Sequence, residues 1–139
     1  MKTLVIHSTL TEQNHDISGT SVAEMHMRDD DLKICSFQDV IKIDGTIESL
    51  IQYNPKRIDN WIYKEDYERL RNNSRHIAYI GGVVNGFTNN TICAKQEETL
   101  KIYVKYMKLR HPDLEILGYS DVSGYESEGF NVSSFIKEL

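Results

Sequence analysis

The sequence has few cysteines and no excess of positive charge. Its two cysteines, Cys35 and Cys93, do not form a CxxC spacing. This excludes a disulfide framework and favours structural thiols in a reducing compartment. The net charge is −5, and the 16 Lys and Arg residues are scattered along the chain. Without a basic stripe to neutralise phosphates, no nucleic-acid partner is expected.

Long hydrophobic runs and proline-rich segments are also missing. No apolar run approaches the ~20 residues that a membrane span requires, and Met1-Lys2 leads straight into a strand pattern instead of a signal sequence. We therefore expect no membrane partner and a cytoplasmic location. The two prolines, Pro55 and Pro112, lie where regular patterns break, and no repeat appears. Residues 1–139 are predicted to form a single domain.

Short β-branched stretches alternate with helical patterns. Strands are predicted at residues 3–7, 39–43, 76–80 and 114–117, and helices at residues 20–26, 64–71 and about 94–110. The last helix is the clearest, because Leu100, Val104 and Met107 recur at i, i+4 and i+7. Asp44-Gly45 predicts a tight hairpin turn. The order predicts an α/β fold with a mixed central sheet flanked by helices.

Four segments in this order carry a family resemblance. They are Leu4-Val5-Ile6-His7-Ser8, the stretch at residues 37–48, Ile77-Ala78-Tyr79-Ile80-Gly81-Gly82, and Gly118-Tyr119-Ser120-Asp121. Together they resemble the zinc-dependent N-acetylmuramoyl-L-alanine amidases, the group of phage lysozyme-type amidases and peptidoglycan-recognition proteins. The resemblance covers about residues 3–135, and Lys42-Ile43-Asp44-Gly45-Thr46-Ile47-Glu48 is its most specific stretch.

The resemblance implies a mixed sheet flanked by helices, with a groove across one face for the glycan and its stem peptide. In the family, two histidines and a cysteine or aspartate hold zinc in that groove. Such a metal, with three protein ligands and one open position, polarises an amide carbonyl and lowers the pKa of its water. All three ligands are needed for this chemistry.

Transferred position by position, this ligand set is largely absent. His7 matches the first zinc ligand, but Tyr119 stands at the second and Ser127 at the third. Phe37 falls where the family has an assisting tyrosine, and Tyr125 falls near its basic residue. We therefore expect no catalytic residues and no zinc cofactor, with His7 as a vestigial ligand that packs or hydrogen-bonds.

Other histidines give no second metal site by spacing. His26 follows Met25 on the first predicted helix and is expected either to line the groove or to be half-buried and bonded to backbone. His76 opens a predicted strand without metal-ligand spacing to a second donor. A site rebuilt from His7 and Cys35 is a less favoured alternative.

Aromatic side chains are the clearest signal for binding. Trp and Tyr offer a stacking surface with a polar atom, which suits sugars, nucleobases or a protein partner. Packing beneath loops is an equally open interpretation. The groove-binding candidates are His7, His26, Phe37, Trp61, Tyr63, Tyr119 and Tyr125.

Three functional hypotheses follow from the resemblance. The favoured one is a catalytically inactive amidase-like binding protein that takes a small ligand or a protein partner, in an intracellular or phage-encoded setting. A lysozyme-type amidase of the family that also regulates a polymerase makes a protein partner conceivable. The second hypothesis is muropeptide binding without cleavage. The third is a residual N-acetylmuramoyl-L-alanine amidase activity.

Overall fold

The computed structural model of the chain describes residues 1–29, 37–59, 61–124 and 129–139, with backbone alone for 26–29. The strands are β1 (Thr3–Ser8), β2 (Thr11–Glu12), β3 (Asp39–Ile41), β4 (Ile47–Ser49), β5 (Ser74–Tyr79), β6 (Gly82–Val84), β7 (Phe87–Thr88) and β8 (Glu115–Gly118). The helices are α1 (Gly19–Asp29), α2 (Ala94–Arg110), α3 (Tyr119–Ser123) and α4 (Val132–Lys137), and Glu65–Arg71 forms a 3-10 helix.

The main sheet has five strands in the order β4-β3-β5-β1-β8. Strand β1 runs parallel to both β5 and β8, and β3 runs parallel to β5. Only the edge strand β4 is antiparallel to its neighbour in this sheet, where it pairs with β3. The predicted mixed central sheet is therefore confirmed.

The two faces of this sheet bury different helices. On one face, Leu4, Ile6, Ile77 and Tyr79 join a core that includes side chains of α2 and α4. On the other face, the neighbouring positions of the same strands contact α1, the 3-10 helix and α3. Because side chains alternate along a strand, His7 of β1 and His76 of β5 both belong to this second face.

Helix α2 matches its predicted range. The predicted apolar stripe is confirmed, since Leu100, Val104 and Met107 are buried together with Tyr103. Gln96 in its first turn is buried as well, and its Nε2 donates a hydrogen bond to the carbonyl of Ile80 at 2.9 Å. The start of the helix is thereby attached to the end of β5.

The hairpin predicted at Asp44-Gly45 connects β3 and β4. The backbone N–H of Thr46 donates to Asp44 Oδ1 at 3.0 Å, and the N–H of Gly45 donates to the carbonyl of Lys42 at 2.9 Å. Gly45 has a φ of +88°, a conformation that side chains disfavour. The sequence signal and the turn therefore agree.

Several short elements were not predicted. The stretch predicted as a helix at residues 64–71 is a 3-10 helix that buries only Leu70, so it lacks the apolar stripe that an α-helix would bury. The sequence pattern also gave no sign of β2, β6 and β7, which form a second sheet, or of the helices α3 and α4. Elements of so few residues are too short to show a period.

In the part of the chain that the structure describes, no helix is both long and apolar enough to cross a membrane.

Candidate functional site

His7, near the end of β1, lies at the centre of a group of aromatic rings. Its ring stacks on Tyr119 at a centroid distance of 4.7 Å, lies 4.7 Å from the ring of Trp61, and meets Phe37 edge-on at 5.1 Å. Trp61 also contacts Phe37 at 5.3 Å and Tyr119 at 5.1 Å. We call these four residues the aromatic cluster. His7 itself is only 5% exposed, so the other rings cover it.

Each ring is positioned by a chain segment around the end of the sheet. Tyr119 opens α3 directly after β8, the neighbour of β1. Its hydroxyl donates a hydrogen bond to the carbonyl of Ile62 at 3.1 Å, which ties α3 to the segment that carries Trp61. Phe37 precedes β3 and packs beneath Trp61 in the core with Val40. The cluster therefore joins three separate segments over the end of β1.

Below the cluster, a series of buried hydrogen bonds runs from His7 to an aspartate. His7 Nε2 lies 2.8 Å from Nδ1 of His76, and His76 Nε2 lies 2.8 Å from Oδ2 of Asp59. His76 is 1% exposed and Asp59 is 5% exposed. Because the carboxylate of Asp59 is an acceptor, His76 directs an N–H at it from Nε2. His7 Nε2 and His76 Nδ1 share one proton, and the tautomers of the two rings decide which of them donates.

Tyr63 completes this buried group. Its hydroxyl donates to Asp59 Oδ2 at 3.2 Å and lies 3.3 Å from His76 Nε2. Burial raises the pKa of Tyr63 well above its usual range, and the negative charge of Asp59 raises it further. Tyr63 therefore stays protonated and serves as a donor. The backbone N–H of Asp59 donates to the carbonyl of Arg71 at 2.7 Å, which anchors the segment to the end of the 3-10 helix.

The residues present do not fit the zinc site that the resemblance implies. Two nitrogen ligands bound tetrahedrally at about 2.0–2.1 Å lie roughly 3.3 Å apart, whereas His7 Nε2 and His76 Nδ1 are 2.8 Å apart and share a proton. Tyr119, which the resemblance assigns to the second ligand position, stacks on His7 and directs its hydroxyl at a backbone carbonyl. Among the described residues, no group of three His, Cys, Asp or Glu side chains could hold a metal ion.

The predicted site residues divide into three groups. Trp61 and Tyr119 are half-buried, so each retains accessible surface in the cluster. His7, Phe37 and Tyr63 are buried, which agrees with the packing interpretation that the sequence left open for these candidates. The remaining predictions fall outside the described side chains, namely those for His26, Cys35, Tyr125 and Ser127.

Two members of the site were not predicted from the sequence. Asp59 lies in an irregular segment and gave no motif, although its carboxylate is the buried acceptor for His76. His76 was interpreted only as the start of a strand. The register of β1 and β5, which pairs Val5 with His76, brings it next to His7. Sequence spacing could not reveal this contact, because the two histidines are 69 residues apart.

Comparison by sequence finds no matching family model and no matching curated protein. Comparison by structure finds clear matches. N-acetylmuramoyl-L-alanine amidase LysC from Clostridium intestinale URNW matches with a TM-score of 0.72 at 16% identity, over 99% of this chain and 84% of that one. Bumblebee peptidoglycan-recognition protein SA matches with a TM-score of 0.71 at 18% identity, over 100% of this chain and 81% of that one.

A third match is peptidoglycan recognition protein-LE, solved in complex with tracheal cytotoxin, a monomeric diaminopimelic acid-type peptidoglycan. Its TM-score is 0.67 at 16% identity, over 99% of this chain and 79% of that one. The chain thus has the fold of the amidases and peptidoglycan-recognition proteins, as the sequence resemblance predicted.

Proposed function

We propose that this chain, which has the fold of the amidases and peptidoglycan-recognition proteins, is a non-hydrolytic binding module for peptidoglycan fragments. Its binding surface is the exposed part of the aromatic cluster, formed by Trp61 and Tyr119. The observation that carries the proposal is the stacking of Tyr119 on His7 at 4.7 Å. This tyrosine, which the resemblance assigns to the position of a family zinc ligand, covers the histidine and supplies a ring for contact.

The side chains of the cluster argue against hydrolysis. His7 Nε2 is hydrogen-bonded to His76 Nδ1, and the ring of His7 is covered by Tyr119 and Trp61. Phe37 has no hydroxyl to stabilise a tetrahedral intermediate at the position that it occupies. Loss of a single oxyanion donor lowers a catalytic rate by about 100-fold or more. Neither His7 nor Phe37 is placed to assist attack on an amide.

The same surface has the chemistry of a binding site. Indole and phenol faces stack on the apolar faces of sugars. Ile62, whose carbonyl accepts from the Tyr119 hydroxyl, is 57% exposed, and Ile58 is 68% exposed. The structural match solved with a monomeric peptidoglycan supports this class of ligand for the fold.

Trp61 gives a direct assay because it is the only tryptophan in the sequence. We expect muramyl dipeptide and longer muramyl peptides to change its fluorescence in a saturable way. Tyr119→Ala should weaken binding about 10-fold, the effect of losing one stacking ring. Tyr106→Ala serves as the matched control, since Tyr106 is an exposed tyrosine on α2, on the opposite side of the sheet. A flat titration with every fragment would contradict the proposal.

Hydrolysis is tested on the same samples. Muropeptides incubated with the protein and added zinc are examined by mass spectrometry for free stem peptide. We expect intact muropeptide after prolonged incubation. Release of stem peptide at a rate that depends on protein concentration would overturn the non-hydrolytic part of the proposal and favour residual amidase activity.

A protein partner on the same surface is the second candidate. The observation that favours it is the exposure of Ile58 and Ile62, because apolar side chains beside aromatic ones are typical of protein interfaces. If no muramyl peptide binds, this candidate predicts that a partner captured by the wild-type protein is not captured by the Ile62→Asp variant. The aromatic cluster beneath would then serve as the rigid base of the interface.

A further inference from the structure

A second potential site lies away from the aromatic cluster. A depression of about 520 Å³ is lined by Asp39, Ser49, Leu50, Ile51, Tyr53 and Arg75, among others. Arg75 and His76 are consecutive residues of β5, so their side chains lie on opposite faces of the main sheet. The depression is therefore independent of the proposed function, because His7 and His76 belong to the other face.

Asp39 is the fixed part of this depression. It is 3% exposed and accepts hydrogen bonds from Arg75 Nη2 at 2.6 Å, from the Tyr103 hydroxyl at 2.8 Å and from the Ser49 hydroxyl at 2.8 Å. Three donors to one carboxylate leave it little capacity for a ligand. The role of Asp39 is thus to hold Arg75 in position.

The guanidinium of Arg75 uses only one of its two donor edges. Its Nε–H donates to the Tyr103 hydroxyl at 2.7 Å, and Nη2 donates to Asp39. Nη1 has no hydrogen-bond partner among the described residues, and it is not fully buried. The Arg75 side chain is 20% exposed, while that of Asp39 is 4% exposed. The edge formed by Nη1 and Nη2 is therefore accessible.

Charge and packing keep this guanidinium ready for an anion. Burial is the largest single effect and lowers the pKa of Arg75, but the hydrogen bonds and charge interactions with Asp39 and Tyr103 together outweigh it and leave the pKa raised, so the group is always cationic. Tyr53 lies along the wall with its ring centroid 6.0 Å from the guanidinium carbon. The hydroxyl of Tyr53 donates to Asn73 Oδ1 at 2.6 Å, which fixes the ring.

We propose that this depression binds a monocarboxylate with an apolar or aromatic body. The free edge of Arg75 matches a carboxylate, which it can bind with two parallel hydrogen bonds. Leu50, Ile51 and Tyr53 offer apolar contact to the body of the ligand. Asp39 balances the charge of Arg75, so the pair has no net positive charge to compensate the second negative charge of a phosphate dianion. A carboxylate is therefore preferred over a phosphate dianion.

The proposal is tested on the wild-type protein by NMR, with backbone amide spectra and the Arg75 Nε–H signal as readouts. The probes are benzoate, inorganic phosphate, acetyl-glycyl-phenylalanine and the amide of that dipeptide. We expect saturable shifts of Arg75 and of residues 49–53 with a carboxylate at about 10 mM, where even a ligand with a millimolar dissociation constant saturates. Phosphate and the dipeptide amide should bind at least about 10-fold more weakly.

The two carboxylate probes distinguish the sources of the ligand. Tighter binding of the dipeptide acid indicates the carboxyl terminus of a peptide or protein, and tighter binding of benzoate indicates a small molecule. Both outcomes support a carboxylate site. The absence of saturable shifts at Arg75, or equal affinity for the dipeptide acid and its amide, would overturn it.

Two variants locate the binding. Arg75→Lys keeps the charge but loses the planar edge, and we expect its affinity for benzoate to fall about 10-fold. Arg75 also neutralises buried Asp39, so its substitution can affect the fold as well as the site. The second variant is therefore Tyr53→Ala, which changes only the wall of the depression. It should weaken benzoate about 5-fold through lost ring contact. Lys105→Gln on the exposed side of α2 is the control. Wild-type affinity in both test variants would contradict the proposal.

Discussion

His7 Nε2 and His76 Nδ1 lie 2.8 Å apart in the interior, although 69 residues separate them in sequence. Parallel pairing of β1 with β5 creates this contact, because it brings the two histidines to the same face of the sheet. Asp59 then accepts from the second histidine, so both ring nitrogens of His76 are hydrogen-bonded. The histidine that resembles a metal ligand is thereby part of a buried hydrogen-bond network.

Removal of Asp59 tests whether this network stabilises the fold. Asp59→Ala leaves His76 Nε2–H and the Tyr63 hydroxyl without their acceptor in the interior. We expect the free energy of unfolding to fall by about 3 kcal/mol, and by roughly half as much for Asp59→Asn, whose amide oxygen still accepts. Urea unfolding followed by circular dichroism measures both.

The control for this pair is Glu98→Ala, because Glu98 is exposed on α2. Its effect should stay within about 0.5 kcal/mol. An Asp59→Ala protein with wild-type stability would show that the network contributes nothing to folding.

Zinc should not stabilise the protein. A metal that binds only the folded state raises the unfolding free energy by about 2.7 kcal/mol at 100 times its dissociation constant. We expect no such rise with zinc in micromolar excess, because His7 Nε2 is hydrogen-bonded to His76 Nδ1 and Tyr119 covers the ring. Thermal unfolding with and without zinc, and metal analysis after dialysis, check this. Stoichiometric retained zinc would contradict it.

Alkaline pH should destabilise the protein through its buried tyrosines. Burial raises the pKa of Tyr63 and of Tyr103 above the ordinary value of 10.0, and nearby carboxylates raise both further. The unfolded chain therefore loses these phenol protons first. The stability that they contribute is fully present below about pH 10 and is lost as the pH rises further.

Tyr63→Phe removes one of these groups. Above about pH 10, the fall of the unfolding free energy with pH should become less steep by about 1.4 kcal/mol per pH unit. The lost hydrogen bond to Asp59 lowers stability at every pH and does not affect this slope. Urea unfolding at several alkaline pH values measures the difference, with Tyr106→Phe, an exposed tyrosine, as the control. Equal slopes for wild type and Tyr63→Phe would refute the assignment.

Substitution of the hairpin glycine is expected to destabilise the fold for two separable reasons. Gly45 has a φ of +88°, and a Cβ there would lie 3.1 Å from the Lys95 carbonyl oxygen and from Thr99 Oγ1. Gly86 has a similar φ of +84°, but nothing lies within 4 Å of its Cβ position. We expect Gly86→Ala to cost about 1 kcal/mol from the backbone alone, and Gly45→Ala to cost about 1 kcal/mol more.

Urea unfolding of the two glycine variants compares these costs directly. The difference between them isolates the crowding against α2, because the backbone conformations match. Equal losses of stability would show that the turn moves away from α2 without penalty.

Local sequence specifies the elements whose signals are local. The periodic apolar positions of α2 and the Asp44-Gly45 turn depend on neighbouring residues, and both were predicted at the correct place. The strands around His7 and His76 were likewise recognised from β-branched runs. Their order along the sequence was enough to suggest the family fold.

The short elements and the depth of each side chain could not be predicted in the same way. The sequence suggested Phe37, Trp61, Tyr63 and Tyr119 as one groove-lining set, and nothing in their spacing separates exposed rings from buried ones. The structure buries Phe37 and Tyr63 and leaves Trp61 and Tyr119 half-buried. Burial depends on segments far apart in the sequence that meet only after folding.

Residue patterns alone were sufficient to specify a mixed α/β sheet with a histidine at the end of its first strand, because those features follow from neighbouring residues. The environment of that histidine depends on folding. Strand pairing brings His76 and Asp59 beneath it, and the start of α3 brings Tyr119 over it. Contacts between residues so distant in sequence form only when the chain packs, and no local sequence pattern predicts them.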